Sequence, residues 1–156
     1  MKWEAMASST HRPPMFLGEY LHTFDTKNRI SLPSKFRRSL GRVVVITRGL
    51  DRCLYVFAKK VWEKEAAKYA AQTSGTAAAR GLARLFLAGS FEAEVDNGGR
   101  ILVPEHLKSF ATMKQSAVIA GVADRVEMWE AGAWKRYTAD IERNADSYAE
   151  KVGDAK

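Results

Sequence analysis

The sequence predicts an α+β domain, mainly strands with supporting helices, assembled from two copies of one small β unit. The first observation behind this is an internal repeat: sliding the 156-residue chain by 71 positions superposes Gly18 on Gly89, Asp25 on Asp96, Arg29 on Arg100, Ile30 on Ile101 and Pro33 on Pro104. The pairs Tyr20/Phe91, Phe24/Val95, Leu32/Val103 and Phe36/Leu107 keep apolar character at the same offset. After a one-residue insertion, an offset of 72 matches Gly49 with Gly121, Leu54 with Val126, Val56 with Met128, Phe57 with Trp129 and Trp62 with Trp134. Ordered matches of this kind mark a duplication, and a repeat decides the fold ahead of local propensity. The second observation is alternation: Tyr20, His22 and Phe24, like Phe91, Ala93 and Val95, recur with the period of two that belongs to strands. The third is helical spacing between and after the copies.

Taken in order, residues 1–14 contain Ser8-Ser9-Thr10 and Pro13-Pro14 without periodicity. They read as a disordered extension, or a vector or start-site remnant, with Met15 opening the folded unit. The first repeat spans 15–63, a helical connector 64–85, the second repeat 86–134, and a C-terminal helix and tail 135–156. Each repeat starts with a strand and reaches a tight turn. That turn is Asp25-Thr26-Lys27-Asn28 in the first copy and Asp96-Asn97-Gly98-Gly99 in the second, residues suited to turns and to positive φ. The returning strands, Arg29–Leu32 and Arg100–Val103, stop at Pro33 and Pro104, each able to open a short helix at 34–40 and 105–110. Strands at Val43–Thr47 and Leu54–Phe57 follow, mirrored by Ala117–Ala120 and Val126–Trp129, with Gly49 and Gly121 expected at the bends. Trp62, Ala66, Tyr69 and Ala70, then Leu82, Leu85, Phe86 and Gly89, predict a helical hairpin broken at Ser74-Gly75-Thr76. In the tail, Trp134, Tyr137, Ile141, Tyr148 and Val152 form one apolar stripe, which must pack on something.

Charge narrows the partners. The chain carries a net charge of +7, distributed as +1 over 1–14, +6 over 15–63, +3 over 64–85, −3 over 86–134 and zero over 135–156. An excess concentrated in one stretch points to a polyanion surface there. No apolar run approaches the roughly 18 residues of a membrane span, so no membrane partner is expected. The single cysteine, Cys53, forms no internal disulfide, and the three scattered histidines, His11, His22 and His106, make no metal cluster with it, so neither metal nor other cofactor is expected and a reducing cytoplasm is the default compartment. The signatures G-x-x-x-x-G-K-S/T, H-E-x-x-H and G-x-S-x-G are absent, which argues against an enzyme.

The repeated Asp-x-x-x-Arg turn is the candidate binding element. A hairpin tip is narrow enough to approach a DNA groove; Asp25 and Asp96 can fix the loops through backbone N–H groups; Arg29 and Arg100 offer the planar fork that recognises phosphate or a guanine edge. Lys27 and Asn28 complete the first tip. The plainer reading is a salt bridge across each turn, and the repetition of the motif favours the DNA role. Lys35, Arg37 and Arg38, with Arg42 and Arg48 near them, either extend the phosphate-contacting surface or form a solvated face. Cys53 reads as a small buried residue, His22 as a hydrogen-bonded core or interface histidine, Trp62 and Trp134 as packing anchors, and Glu92 and Glu94 as solvent-facing strand charges.

The segments MFLGEYLHTFDTKNRISLPSKFR, TRGLDRCLYVF and FLAGSFEAEVDNGGRILVPEHLK are similar to the bacterial MraZ family, and the likeness runs from Met15 to about Val152. The family resembles AbrB-like DNA-binding modules duplicated in one chain, with an Asp-x-x-x-Arg motif in each copy. The resemblance implies a double-split, swapped-hairpin β-barrel and ring-shaped homo-oligomers larger than a dimer. It also implies a cytoplasmic, nucleoid-associated transcriptional regulator of the division and cell-wall gene cluster, bound to double-stranded DNA with short tandem repeats in its own promoter. Where the family usually has Gly before the first Arg, this chain has Asn28. From another class, an oligomeric scaffold or nonspecific polyanion-binding protein fits the same basic charge. The segmental asymmetry further suggests that the first tip leads on DNA, while Arg100 pairs with Asp96 or a neighbouring acid.

Overall fold

The computed structural model describes residues 15–154, so the reading of 1–14 lies outside the described residues. Among the described residues eight strands, all paired antiparallel, run β1 Phe16–Thr23, β2 Arg29–Ser31, β3 Val43–Arg48, β4 Leu54–Ala58, β5 Phe91–Glu94, β6 Arg100–Leu102, β7 Ser116–Ala123 and β8 Arg125–Glu130. The described residues also form the helices α1 Ser34–Leu40, α2 Lys59–Ala70, α3 Ala77–Ala83, α4 Glu105–Phe110 and α5 Ala131–Asp154. A 3-10 turn at Leu50–Arg52 joins β3 to β4, and a π-turn at Arg84–Ala88 extends α3. Pro33 and Pro104 immediately precede α1 and α4, where a missing N–H costs the helix nothing.

The copies interlock. Six strands form one sheet in the order β1-β7-β8-β4-β3-β5, and β2 pairs with β6 as a separate ribbon. The first strand of each copy therefore lies beside the third strand of the other, β1 on β7 and β5 on β3. The register is two-fold: Tyr55 faces Glu127 between β4 and β8, and Ile30 faces Ile101 in the ribbon. Among the described residues no strand pairing closes the six-stranded sheet on itself.

One core fills the space between sheet and ribbon. Val44, Ile46, Leu54 and Val56 from the first copy meet Ala117, Ile119, Val126 and Met128 from the second, capped by Ile30, Ile101, Leu32, Val103, Phe36 and Leu107. Ile30 and Ile101 are both 0% exposed, and burial of each contributes about 1.5–3 kcal/mol. The other sheet face is covered by aromatics on the helices. Between ring centroids, Phe86 lies 4.6 Å from Tyr69 and 6.2 Å from Tyr55, and Trp129 lies 5.4 Å from Trp134 and 4.7 Å from Tyr137. Thr47 Oγ1 donates to Phe86 O at 2.6 Å and Arg48 Nε to Leu85 O at 3.1 Å, so carbonyls of the π-turn dock on β3.

Gly121 corrects an expectation. It sits inside β7 rather than at a bend, and the chain reverses at Ala123-Asp124, with Ala123 at φ 59°. Gly121 pairs with Val126 as Arg48 pairs with Leu54, so the copies align here at an offset of 73 and Gly49 is not its counterpart. The reason is close approach: a Cβ on Gly121 would stand 2.5 Å from Leu17 N and from Phe16 C in β1. Gly121→Ala is expected to lower unfolding stability by about 1–3 kcal/mol by forcing β1 away. Gly81→Ala, in open space on α3, should raise it by roughly 0.5–1 kcal/mol. Urea titration of both variants measures the contrast.

Candidate nucleic-acid interface

Each turn is built around one carboxylate. Asp25 Oδ1 accepts from the backbone N–H groups of Lys27 at 2.8 Å and Arg29 at 2.9 Å, and Oδ2 accepts from Arg29 Nε at 2.8 Å. Asp96 repeats the pattern, with Oδ1 accepting from Gly98 N and Arg100 N, both at 2.9 Å, and Oδ2 from Arg100 Nε at 3.1 Å. Backbone bonds close both loops, Asp25 N to Arg29 O at 2.8 Å and Asp96 N to Arg100 O at 2.9 Å. The last turn residue takes positive φ in each copy, 61° at Asn28 and 78° at Gly99, a region Asn tolerates better than most side chains do. The carboxyls of Asp25 and Asp96 are held below their ordinary values, chiefly by the backbone N–H of Arg29 and of Arg100 respectively.

The ribbon brings the two motifs side by side. Ser31 pairs with Arg100 and Arg29 with Leu102, and Arg100 Nη1 reaches 3.5 Å from Asp25 Oδ2 in addition to its own Asp96. Both arginine side chains remain about one-third exposed, 33% for Arg29 and 38% for Arg100. Lys27 is exposed at the first tip, and Lys35 and Arg38 are exposed on α1. Arg37 crosses to the second tip: its Nε donates to Leu32 O at 2.9 Å, and a Cβ on Gly99 would fall on its guanidinium. Arg42 is exposed, whereas Arg48 is half-buried and bonded to the π-turn.

Two residues that sequence reasoning missed complete the first tip. Lys108 Nζ donates to Asn28 Oδ1 at 2.8 Å, and Asn28 Nδ2 donates to Glu105 at 3.3 Å. The repeat itself carried the signal for one of them, since Lys108 is the counterpart of Arg37 at the 71-residue offset. His22 Nδ1 donates to Ser31 O at 2.5 Å and ties β1 to the ribbon. Cys53 is buried, its thiol 3.2 Å from Leu50 O and its pKa pushed up by burial, an environment that suppresses thiolate chemistry.

Strands exchanged between two copies of one β unit, with paired Asp-x-x-x-Arg turns on a shared ribbon, define a duplicated pseudo-twofold module. The family model described as "MraZ protein, putative antitoxin-like" matches each copy in turn, over residues 15–85 and 86–154, and the chain belongs to this family. It is 41% identical over 138 residues to a protein of Acetivibrio thermocellus named "Transcriptional regulator MraZ", a match covering 88% of this chain and 96% of that one. Proteins of the same name from Carboxydothermus hydrogenoformans and Roseiflexus castenholzii are 41% identical over 140 residues and 39% identical over 142. These matches cover 90% and 91% of this chain and 98% and 99% of the relatives.

The two carboxylates make the turns acid-labile. Because their folded pKa values lie below the unfolded ones, their stabilisation is complete above the unfolded value, about 4, and disappears as pH falls through the folded value. The melting temperature of the wild type should therefore exceed that of Asp25→Asn by a constant margin above about pH 5. The margin should shrink below about pH 4, as thermal melts across pH 2–7 would measure.

Proposed function

We propose that the chain is a sequence-specific DNA-binding transcriptional regulator that works without a cofactor or catalysis. The observation that carries this reading is the pair of turns built on the same carboxylate pattern on one ribbon, each presenting a part-exposed arginine and the first adding exposed Lys27. Arg29 and Lys27 at the first tip and Arg100 at the second form the DNA-facing group, Asp25 and Asp96 fix the turns, Asn28 joins the first turn to the second copy, and Lys35, Arg37 and Arg38 supply flanking phosphate contacts. The name that the relatives share, transcriptional regulator, supports the regulatory role. Its targets on this reading are short tandem repeats in the promoter of its own division and cell-wall gene cluster, in a cytoplasmic, nucleoid-associated setting. The exchanged strands further support reading sheet and ribbon as the two sides of a swapped-hairpin barrel.

One tip binds weakly, and a homo-oligomer on tandem sites gains affinity through effective concentration. Apolar surface supports assembly into a ring larger than a dimer: Val152 is 66% exposed on α5, and Leu17 and Leu21 are each 65% exposed on β1. An oligomeric scaffold would instead hold any polyanion through charge alone. Footprinting on the DNA upstream of the chain's own gene separates the two: a regulator protects a defined repeat in excess competitor DNA, whereas a scaffold gives salt-sensitive, sequence-blind retention.

Among the described residues Arg29 has one carboxylate partner and Arg100 two, so on this reading more of Arg29's donors are available to DNA. Arg29→Ala is expected to abolish specific binding, at about 1–3 kcal/mol per lost base contact multiplied over the engaged protomers, with the oligomer intact. Arg100→Ala should weaken binding much less and show instead as a lower melting temperature or altered oligomer size. Equal losses in gel-shift titrations at matched salt would overturn this division. Light scattering should return a mass above twice 17.4 kDa; a concentration-independent monomer would sink the avidity mechanism.

A further inference from the structure

From the geometry around residue 28 we infer that Lys108 is a positioning residue for the first DNA-facing tip, acting through Asn28 rather than on DNA. The inference rests on the regulatory reading above and deepens it. Asn28 is the joint between the first turn and the second copy. Its N–H donates to Asp25 O at 3.3 Å, and its carbonyl accepts from Val103 N at 2.9 Å. Its side-chain amide is engaged at both ends by α4, through Lys108 on Oδ1 and Glu105 on Nδ2. An amide so occupied does not read a base edge.

Lys108 is half-buried, its ammonium bonded to Asn28 Oδ1 and 4.5 Å from the Phe24 ring centroid. The second copy solves the same problem differently. At Gly99 the carbonyl accepts from Leu32 N at 2.9 Å, there is no side chain to hold, and Arg37 lies in the space a side chain would fill. A non-glycine residue at positive φ thus coincides with a cation that anchors it, and a glycine with a cation that displaces it. Lys27 and Arg29 flank Asn28 directly, so the clamp from α4 sets the angle at which both meet DNA.

Lys108→Met keeps an unbranched side chain of similar length and removes the donor and the charge over Phe24. In the full-length chain it should weaken binding to the promoter duplex roughly tenfold, the weight of a charge-assisted hydrogen bond. The slope of log affinity against log salt should stay unchanged, whereas a lost phosphate contact lowers it by about one. Asn28→Gly should bind within about twofold of wild type, and Asn28→Gly with Lys108→Met within about twofold of Asn28→Gly, because a glycine turn has no amide to anchor. A slope reduced by about one in Lys108→Met, or a double variant as weak as Lys108→Met alone, overturns the inference. If the wild type shows no preference for the promoter duplex over a scrambled one, the regulatory reading fails instead. Melting then tests the clamp alone: Lys108→Met should lower the melting temperature beside Asn28 but not beside Gly at that position, and equal drops in the two backgrounds overturn it.

Discussion

The exchange of first strands between the copies is the constraint on which the other features depend. β1 completes the sheet only beside β7, and β5 only beside β3, so neither copy reaches its own hydrogen-bonded edge without the other. Backbone groups buried in a sheet need partners, which makes the duplicated chain a single folding unit with one core drawn from both halves. The same exchange sets β2 against β6, and the pairing of Ile30 with Ile101 on the two-fold axis leaves no freedom in how the turns are spaced. The proximity of the Asp-x-x-x-Arg motifs follows from packing under the ribbon.

Within that symmetric frame the copies have diverged where symmetry is not needed. On the axis, Tyr55 faces Glu127, and the carboxylate is buried with three donors: Trp129 Nε1 at 3.0 Å, Arg125 Nε at 3.0 Å and Arg125 Nη2 at 2.7 Å. Arg125 lies 4.3 Å above the Tyr55 ring, so the charge is paired as burial demands. The helices differ more. After α2 the chain turns at residues 71–76, with Thr76 Oγ1 capping α3 by accepting from Ala79 N, and folds back over β3. Its counterpart α5, capped by Glu130 accepting from Ala133 N at 2.6 Å, continues for 24 residues. That length is about 36 Å, and the apolar stripe runs on to exposed Tyr148 and Val152. The sheet edges are unequal as well, with Leu17 and Leu21 exposed on β1 where β5 has Glu92 and Glu94. Charged edges resist strand addition and apolar ones invite contact, so the molecule is polar from one end to the other.

The elements legible in the sequence were those written in local chemistry. The Asp and Asn/Gly turns, the prolines ahead of α1 and α4, the period-two strands and the helical break near Gly75 all depend on neighbours a few residues away. What was not legible depends on partners far along the chain. Gly121 looked like a bend because glycine usually marks one, and only the passage of β1 over it explains the missing side chain. The π-turn carbonyls that meet Thr47 and Arg48, and the contact of Lys108 with Asn28 across 80 positions, belong to the same class. A duplication invites alignment of like with like, whereas here the working contacts join unlike positions of opposite copies.

That cross-linking changes what charge along the chain means. Counted by segment, the first copy is strongly basic and the second acidic, which by itself would leave the second tip repelled by DNA. In space the copies trade cations: Arg37 of the first lies on Gly99, and Lys108 of the second is bonded to Asn28. The first tip then gathers Lys27, Arg29 and Lys108 against Asp25 and Glu105, and the second gathers Arg37 and Arg100 against Asp96, an excess of one cation at each. Net charge no longer separates them. Engagement does: among the described residues Arg100 is shared between Asp96 and Asp25, while Arg29 pairs with Asp25 alone and lies two positions from exposed Lys27. A guanidinium held by one carboxylate keeps more of its donor fork for an incoming phosphate or base than one held by two. The difference between the tips is therefore one of donor engagement, a property of the ribbon rather than of either copy's composition.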